Sequence, residues 1–365
     1  MMGIYLDGMF YRCSGVGRVY ENLLETFAAR PDLGEIHTVV PEAQKKRFLE
    51  QFRETSIKPR FVGYGPMSVG DLFLKSGVLR PLKGSVRLFF FPGHNVPIQV
   101  PGKYVMIVHD LTVFSEHFAL PRHRKAVFRR LLARAVQKAE DVVTDSATTR
   151  RDLIREFSVP AENVRVIYPW VRDDFFLPPP EVGPCVAGEY ILYLGLRIAH
   201  KNVEGVLHAF AILAERFPEL KLVIAGPRCS TPDMVDQWVE DPRVKGRIVE
   251  MPDLTDDEIR FLLAGAKAFV FPSFAEGFGL PPLEAMAAGV PVVCSDIAVF
   301  REVYGGVAAH YVDPASPASI ARGVRDVLTN PALAKTLREK GKDRAAMFRR
   351  NDAVGKYLDL IEANR

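Results

Sequence analysis

Short apolar runs alternate with amphipathic segments through most of the chain. In the first half, runs rich in valine, isoleucine and phenylalanine predict strands at residues 3–7, 35–40, 87–91, 103–110, 141–146 and 164–169. Their continuous apolar character is typical of strands covered on both faces, as in a parallel sheet. Segments with helical periodicity lie between several of them, notably at 19–29 and 122–139. This alternation of strand and helix indicates a doubly wound α/β domain.

The alternation stops at FFLPPPEVGPCVAG, residues 175–188, where four prolines and two glycines predict a stiff connection. It resumes with predicted strands at 190–195, 221–226, 246–251, 268–272 and 291–296. We therefore predict two α/β domains, residues 1–178 and 179–348, followed by an amphipathic C-terminal helix within 349–365. Two local signals set helix ends in the second domain. Thr255 to Glu258 is a capping-box sequence, and Pro282 suits the first turn of a helix that Gly289 can end.

Composition excludes several classes of protein. Of the 365 residues, 48% are hydrophobic, which suffices for large cores, yet no apolar run approaches the roughly 20 residues that span a bilayer. The N-terminus has no basic region and carries Asp7 in its first apolar run, so it does not resemble a signal peptide. The cysteines, Cys13, Cys185, Cys229 and Cys294, are far apart and form no CxxC pair. This spacing argues against a zinc site or a disulfide framework and predicts a cytoplasmic protein.

Charge is unevenly distributed along the chain. Residues 1–178 contain 26 Lys and Arg against 19 Asp and Glu, a balance of +7, whereas the remainder contains 22 against 25, a balance of −3. Two basic segments, 45–53 and 122–134, could contact an anionic membrane or a lipid-linked diphosphate, or could simply be solvated helix faces. Because no nucleic-acid-binding motif accompanies the charge, we expect no nucleic-acid partner.

Strand-to-helix junctions are the places where such domains bind phosphate, since the helix amides and dipole favour anions there. One junction, residues 14–18, contains Gly15 and Gly17, which could let the backbone approach a ligand or could form a tight turn. A second, residues 195–202, carries Arg197 and Lys201, which could neutralise two phosphates or could be a solvated helix start.

The third junction is EGFGLPPLE, residues 276–284. Its glycines and prolines exclude a single helix, so we expect Glu276 in a loop and Glu284 in the first helical turn. The amides of residues 277–280 would lie between the two carboxylates. Glu284 could then accept hydrogen bonds from a diol such as a ribose, or could merely complement the helix dipole.

These motifs together resemble glycosyltransferase family 4. The similarity extends from about residue 3 to residue 315 and is carried by SGVGRVYENLL, IVHDLTVF, VVTDSATTRRDLIREFSVPAENVRVIYP, YILYLGLRIAHKNVEGVLHAF and EGFGLPPLEAMAAGVPVVCSD. The resemblance implies the GT-B fold, in which two Rossmann-like domains face a central cleft. It also implies a retaining transfer of a hexose, such as mannose, from a GDP- or UDP-sugar to a glycan, glycolipid or lipid-linked acceptor.

The resemblance further implies roles for individual residues. His109 and Glu276 would act at the donor sugar, Arg197 and Lys201 would bind the diphosphate, and Glu284 would hold the ribose. The loop of Gly15 and Gly17 would face the donor phosphate or the acceptor, and the terminal helix would return to the first domain. The remaining donor-site residues would be Gly277, Phe278, Gly279 and Leu280.

The predicted chemistry needs no metal or cofactor. The sequence contains no acidic cluster of the Asp-x-Asp kind, so Lys201, Arg197 and helix dipoles would stabilise the departing diphosphate. Attack would occur on the face that the leaving group departs from, and the two domains would close around the donor. Two alternatives remain open, a nucleotide-sugar epimerase of the same fold and a nucleotide-sugar-binding protein without turnover.

Overall fold

The computed structural model describes residues 3–53, 56–181, 183, 186–228 and 233–364. Cys185 and Cys229 lie outside this range, while Cys13 and Cys294 are free thiols. The chain divides into two compact units. Unit 1 comprises residues 1–111, 121–168 and 351–365, and unit 2 comprises residues 112–120 and 169–350.

Unit 1 is built on a parallel sheet with strand order β3-β2-β1-β4-β5-β6-β7. Its strands are β1 (Gly3–Leu6), β2 (Ile36–Pro41), β3 (Ile57–Val62), β4 (Val86–Phe91), β5 (Tyr104–Val108), β6 (Asp141–Thr144) and β7 (Val164–Val166). Its helices are α1 (Ser14–Ala28), α2 (Lys45–Gln51), α3 (Lys75–Leu79), α4 (Arg122–Lys138) and α5 (Ala147–Phe157). The central strands β1, β4 and β5 are almost wholly buried, as their apolar runs predict.

Unit 2 repeats the arrangement with strand order β10-β9-β8-β11-β12-β13, again parallel throughout. Its strands are β8 (Tyr190–Leu194), β9 (Lys221–Ala225), β10 (Ile248–Met251), β11 (Ala268–Phe271), β12 (Val292–Ser295) and β13 (His310–Val312). Its helices are α6 (Val203–Ala214), α7 (Met234–Val239), α8 (Asp256–Gly265), α9 (Leu280–Ala287), α10 (Ala298–Tyr304), α11 (Pro317–Thr329) and α12 (Pro331–Ala345). The last helix, α13 (Arg350–Ala363), packs with unit 1, where Tyr357 contacts Phe90.

The α/β fold class is confirmed, with two Rossmann-like units of parallel strands as in the GT-B fold. The capping box before α8 is also confirmed, since Thr255 and Glu258 exchange side-chain to backbone hydrogen bonds. Strands β3 and β13 were not predicted. Both are edge strands, and β3 is buried only at its two ends, Ile57 and Val62, instead of forming a continuous apolar run.

Helix boundaries required two corrections. Helix α1 begins at Ser14 and not near Val19, so Gly15 and Gly17 belong to its first turn. Helix α9 begins at Leu280, so Glu284 is its fifth residue and lies beyond the first turn.

Among the described residues, the structure has no helix that is both long and apolar enough to cross a membrane.

Candidate functional site

The strand order of unit 2 identifies where a ligand would bind. The sheet winds outward in opposite directions from β8 and β11, which are adjacent, and a crevice forms at the carboxyl ends of such a strand pair. Lys201 lies in the connection that follows β8, and Glu276 lies in the connection that follows β11. The topology therefore brings together two residues that are 75 positions apart in the sequence.

Lys201 and Glu276 form an ion pair at this edge. The Lys201 ammonium donates to both carboxylate oxygens of Glu276, with Nζ to O distances of 2.7 Å each. The same ammonium lies 5.7 Å from the centre of the Phe271 ring, which is an additional favourable cation–π contact. The pair is mostly buried, so its attraction is stronger than that of a surface pair. A cation and a carboxylate are thus held side by side at the carboxyl ends of β8 and β11.

Asn202 fixes the connection that carries Lys201. Its backbone has φ +56°, a left-handed conformation that asparagine tolerates well, and its side chain accepts a hydrogen bond from Gly205 N at the start of α6. Its amide nitrogen donates to Pro272 O at 2.9 Å and to Pro314 O at 2.8 Å. A single side chain therefore ties the Lys201 connection to two other strand ends. The asparagine after Lys201 was the sequence signal for this anchor.

Gly279 sets the start of α9. Its φ of +94° requires glycine, and a Cβ atom there would lie 2.1 Å from the hydroxyl oxygen of Tyr304. That hydroxyl donates to Gly279 O at 2.8 Å. The helix then opens with Pro281 and Pro282, which have no N–H, so the amide donors near this helix start come mainly from residues 277–280.

Phe278, Leu280 and Glu284 complete the predicted loop. Phe278 is buried against Phe348, with ring centres 5.5 Å apart, and holds the loop between its two glycines. Leu280 is partly exposed at the helix start, while Glu284 is buried one turn further along α9. Ribose binding by Glu284 stays a prediction.

Arg197 occupies a different environment from Lys201. Its side chain is fully buried, and its Nη1 atom pairs with Asp233 at 3.2 Å and with Glu250. Glu250 also pairs with Arg228, at 2.8 Å. The guanidinium is therefore committed to carboxylates of unit 2, an arrangement that positions the connection after β8. Diphosphate binding by Arg197 stays a prediction.

An unpredicted segment packs beside Lys201. Residues 112–120 follow β5 in the chain but cluster with unit 2. The His117 ring stacks on Phe274 with centres 4.0 Å apart, and the Phe118 ring stacks on His200 with centres 5.4 Å apart. His200 is buried, with the Phe118 ring stacked on it. We call residues 112–120 the strap.

His109 lies in unit 1, directly after β5. Its Nδ1 atom is 2.7 Å from Asp145 Oδ2 and its Nε2 atom is 2.9 Å from Pro92 O. Both partners are acceptors, so both ring nitrogens donate and the imidazolium is the favoured form. Burial alone would lower the pKa of His109, but the charge and hydrogen bond of Asp145 outweigh it and raise that pKa to about 9. His109 therefore supplies a fixed positive charge.

Gly15 and Gly17 have helical rather than left-handed backbone conformations. A Cβ atom at Gly17 would lie 2.2 Å from Phe10 O, so that glycine is required by close backbone packing. A Cβ atom at Gly15 would meet no atom of the described residues within 4 Å. Gly15 thus leaves open space at the start of α1, and its predicted role toward a ligand stays a prediction.

Within the described residues, no group of three His, Cys, Asp or Glu side chains is arranged to hold a metal ion.

Comparison with known proteins agrees with this geometry. The family model described as glycosyl transferases group 1 matches residues 186–344, and the model described as glycosyltransferase family 4 matches residues 13–175. The solved structure of Anabaena HepE in complex with UDP and glucose covers 100% of this chain and 99% of its own, with a TM-score of 0.78 and 17% identity. At that identity, the likeness shows the fold alone.

Two curated relatives are more similar in sequence. The O-antigen chain mannosyltransferase B of Escherichia coli is 31% identical over 252 residues, covering 67% of this chain and 66% of that relative, just under two thirds of its length. An uncharacterised glycosyltransferase of Methanocaldococcus jannaschii is 33% identical over 313 residues, covering 80% of this chain and 78% of the relative. The predicted family is confirmed: the chain belongs to the glycosyltransferases of group 1, family 4.

Proposed function

We propose that the protein transfers a hexose from a nucleotide-diphosphate sugar to a glycan, glycolipid or lipid-linked acceptor with retention of anomeric configuration. The observation that carries the proposal is the Lys201–Glu276 pair at the switch point between β8 and β11. A nucleotide sugar has an anionic diphosphate next to a ring of hydroxyl groups, and this pair offers one complementary group for each.

In the proposed reaction, Lys201 and the amides of residues 277–280 stabilise the charge that develops on the departing diphosphate. Glu276 positions the sugar through its hydroxyl groups, and Glu284 binds the ribose. The acceptor attacks from the side of the leaving group, whose phosphate takes the acceptor proton. His109 contributes a positive charge and not a proton acceptor, because both of its ring nitrogens already donate. Arg197 supports the loop or binds the diphosphate.

We also propose that the reaction is independent of metal and cofactor. Lys201 provides the cation that a divalent ion would otherwise supply, and the described residues hold no cluster of metal-ligating side chains. The name of the Escherichia coli relative favours mannose as the sugar, hence GDP-mannose as donor, and a polysaccharide as acceptor. UDP-sugars are the second candidates, since HepE was solved with UDP.

The test is a thermal-shift screen with GDP-, UDP-, ADP- and dTDP-sugars, followed by NMR assignment of the anomeric configuration of the product. We expect one donor to stabilise the protein in the presence of EDTA. Lys201→Ala should abolish that stabilisation, whereas Lys245→Ala, which removes an exposed lysine paired with Glu240 in the same unit, should retain it. Stabilisation by none of the donors, or an inverted product, would overturn the proposal. Donor epimerised without acceptor would indicate the alternative activity.

A further inference from the structure

Residues 67–74 of unit 1 form a segment in which the usual distribution of polar and apolar side chains is reversed. The segment includes a single π-helical turn, Gly70–Leu74, that leads directly into α3. Asp71 and Lys75 are buried, with 1% and 0% of their surface exposed. The large apolar side chains are exposed instead: Met67 by 54%, Val69 by 76%, Phe73 by 56% and Leu74 by 63%. Clustered exposed apolar side chains mark interaction surfaces.

A buried ionic cluster enforces this reversal. Lys75 Nζ lies 2.6 Å from Asp71 Oδ1 and 3.2 Å from Asp7 Oδ2, and it donates to Asn95 O at 3.0 Å. Asp71 and Lys75 are four residues apart and therefore share a face, so Phe73, midway between them, is turned outward. Burying charges costs several kcal/mol per ion unless they are paired. The inner side of this turn therefore carries buried, paired charges, and its outer side carries exposed apolar side chains.

An apolar pocket of about 160 Å³ lies between this segment and α4. Its apolar lining includes Leu72, Val96, Phe128, Leu131 and Leu132. His94 also lines it and packs edge-on against Phe128, with ring centres 5.0 Å apart. Burial lowers the pKa of His94 to about 4, so the imidazole is neutral at physiological pH. Val127, which precedes Phe128 in α4, is a further large apolar side chain that is 55% exposed. We call Met67, Val69, Phe73, Leu74 and Val127 the apolar ridge.

The helix beside the ridge is strongly cationic. The sequence of α4, RHRKAVFRRLLARAVQK, contains seven Lys and Arg residues and no carboxylate. Further along the same helix, Arg134 and Lys138 join Arg80 and Lys83 around a cleft of about 650 Å³. Among the residues that the structure describes, no acidic side chain lines that cleft. Helix α4 therefore lines both surfaces, the apolar pocket through Phe128, Leu131 and Leu132 and the basic cleft through Arg134 and Lys138. Arg129 of the same helix pairs with Glu156.

The other basic helix, α2, differs in this respect. Its aromatic residue Phe48 is buried and packs against Tyr11 and Phe61, so that the apolar side of the helix faces the core. Leu49 is its exposed large apolar side chain. The two basic segments, 45–53 and 122–134, were equivalent in sequence but differ in the structure. The apolar side of α2 packs into the core, so α2 has the features of an ordinary surface helix.

We propose that the apolar ridge and the cations of α4 dock the protein on an anionic phospholipid bilayer. The apolar side chains would enter the boundary between headgroups and acyl chains, while the arginines and lysines would bind lipid phosphates. This inference deepens the proposed function, because it names the surface from which the enzyme would reach a lipid-borne acceptor. It does not depend on the donor or on the chemistry at Lys201.

The test is vesicle flotation of the full chain, with vesicles of equal parts phosphatidylglycerol and phosphatidylcholine compared with pure phosphatidylcholine. We expect binding to the anionic vesicles that weakens with added salt. The F73S/L74S variant should bind about tenfold more weakly or worse, because two large apolar side chains no longer enter the interface. The matched control I212S/V307S removes two exposed apolar side chains from unit 2 and should bind as the unaltered protein does.

A second pair of variants tests the charge. R124E/R130E should lose about fivefold in affinity for each cation removed. Its control, K335E/K340E, changes two exposed lysines of α12 and should have little effect. Donor-induced thermal stabilisation, measured on every variant, reports folding and separates this test from that of the proposed function. Equal binding by F73S/L74S and its control would overturn the proposal. So would failure to bind vesicles combined with self-association that F73S/L74S abolishes.

Discussion

The charge on His109 can be tested by removing the carboxylate that stabilises it. In Asp145→Asn, the new amide oxygen can still accept the hydrogen bond from Nδ1, so the geometry is kept while the negative charge is lost. Burial, which opposes ionisation, then dominates, and the pKa of His109 should fall from about 9 to below its ordinary value of 6.5. The difference between 6.5 and about 9 corresponds to about 3 kcal/mol of stabilisation of the charged form.

The sign of the pH effect follows from the raised pKa. His109 contributes this stability fully below pH 6.5, where it would be charged even in the unfolded chain, and the contribution is lost as pH rises through about 9. The free energy of unfolding of the protein should therefore fall over this window, and that of Asp145→Asn should lack this component.

The direct assay is an NMR titration of the histidine ring signals, with His109 assigned from the signal that is missing in His109→Gln. Asp141→Asn is the matched control, since Asp141 is a buried aspartate at the start of β6 that pairs with Arg165, and the change leaves Asp145, which follows β6, in place. A pKa for His109 below 7 in the unaltered protein would refute the reasoning. So would an unchanged value in Asp145→Asn.

Three further variants test other parts of the site. Glu284→Gln should weaken binding of donor and of free nucleotide equally, by about tenfold, because both contain the ribose; calorimetry measures this, and a loss confined to the donor contradicts it. Gly279→Ala should destabilise the protein by about 2 kcal/mol or more, because φ is +94° and the added Cβ would meet the hydroxyl of Tyr304. The control Gly355→Ala, on α13, should not destabilise it, and denaturant unfolding measures both variants. Phe118→Ala should uncover His200 and raise the donor KM more than it lowers kcat. An unchanged KM would show that the strap does not position the connection that carries Lys201.

The sequence predicted the elements whose signal is local. Continuous apolar runs identified the central strands, because those strands are covered on both faces, and Thr255 and Glu258 identified the start of α8. The edge strand β3 was not predicted because Lys58 and Arg60 interrupt its apolar run, and an edge strand is exposed enough to contain such charged residues.

Parts of the site were predictable and others were not. Lys201 and Glu276 were identified individually, but their direct contact depends on β8 and β11 being neighbours, which no local pattern encodes. The burial of Arg197 depends on Glu250, a residue of another strand 53 positions away. Likewise, the strap is a nine-residue connecting segment without helical or strand periodicity, so its sequence does not indicate what it packs against.

Under the proposed function, the contact between Lys201 and Glu276 would make diphosphate binding an exchange of ion-pair partners. A phosphate that takes over the two hydrogen bonds from the ammonium to Glu276 would displace the carboxylate, so a bare nucleoside diphosphate would gain one ion pair while breaking another. An intact nucleotide sugar also brings hydroxyl groups that can satisfy the displaced Glu276. We therefore expect the pair to discriminate between substrate and spent nucleotide, favouring release of the product once the sugar has been transferred.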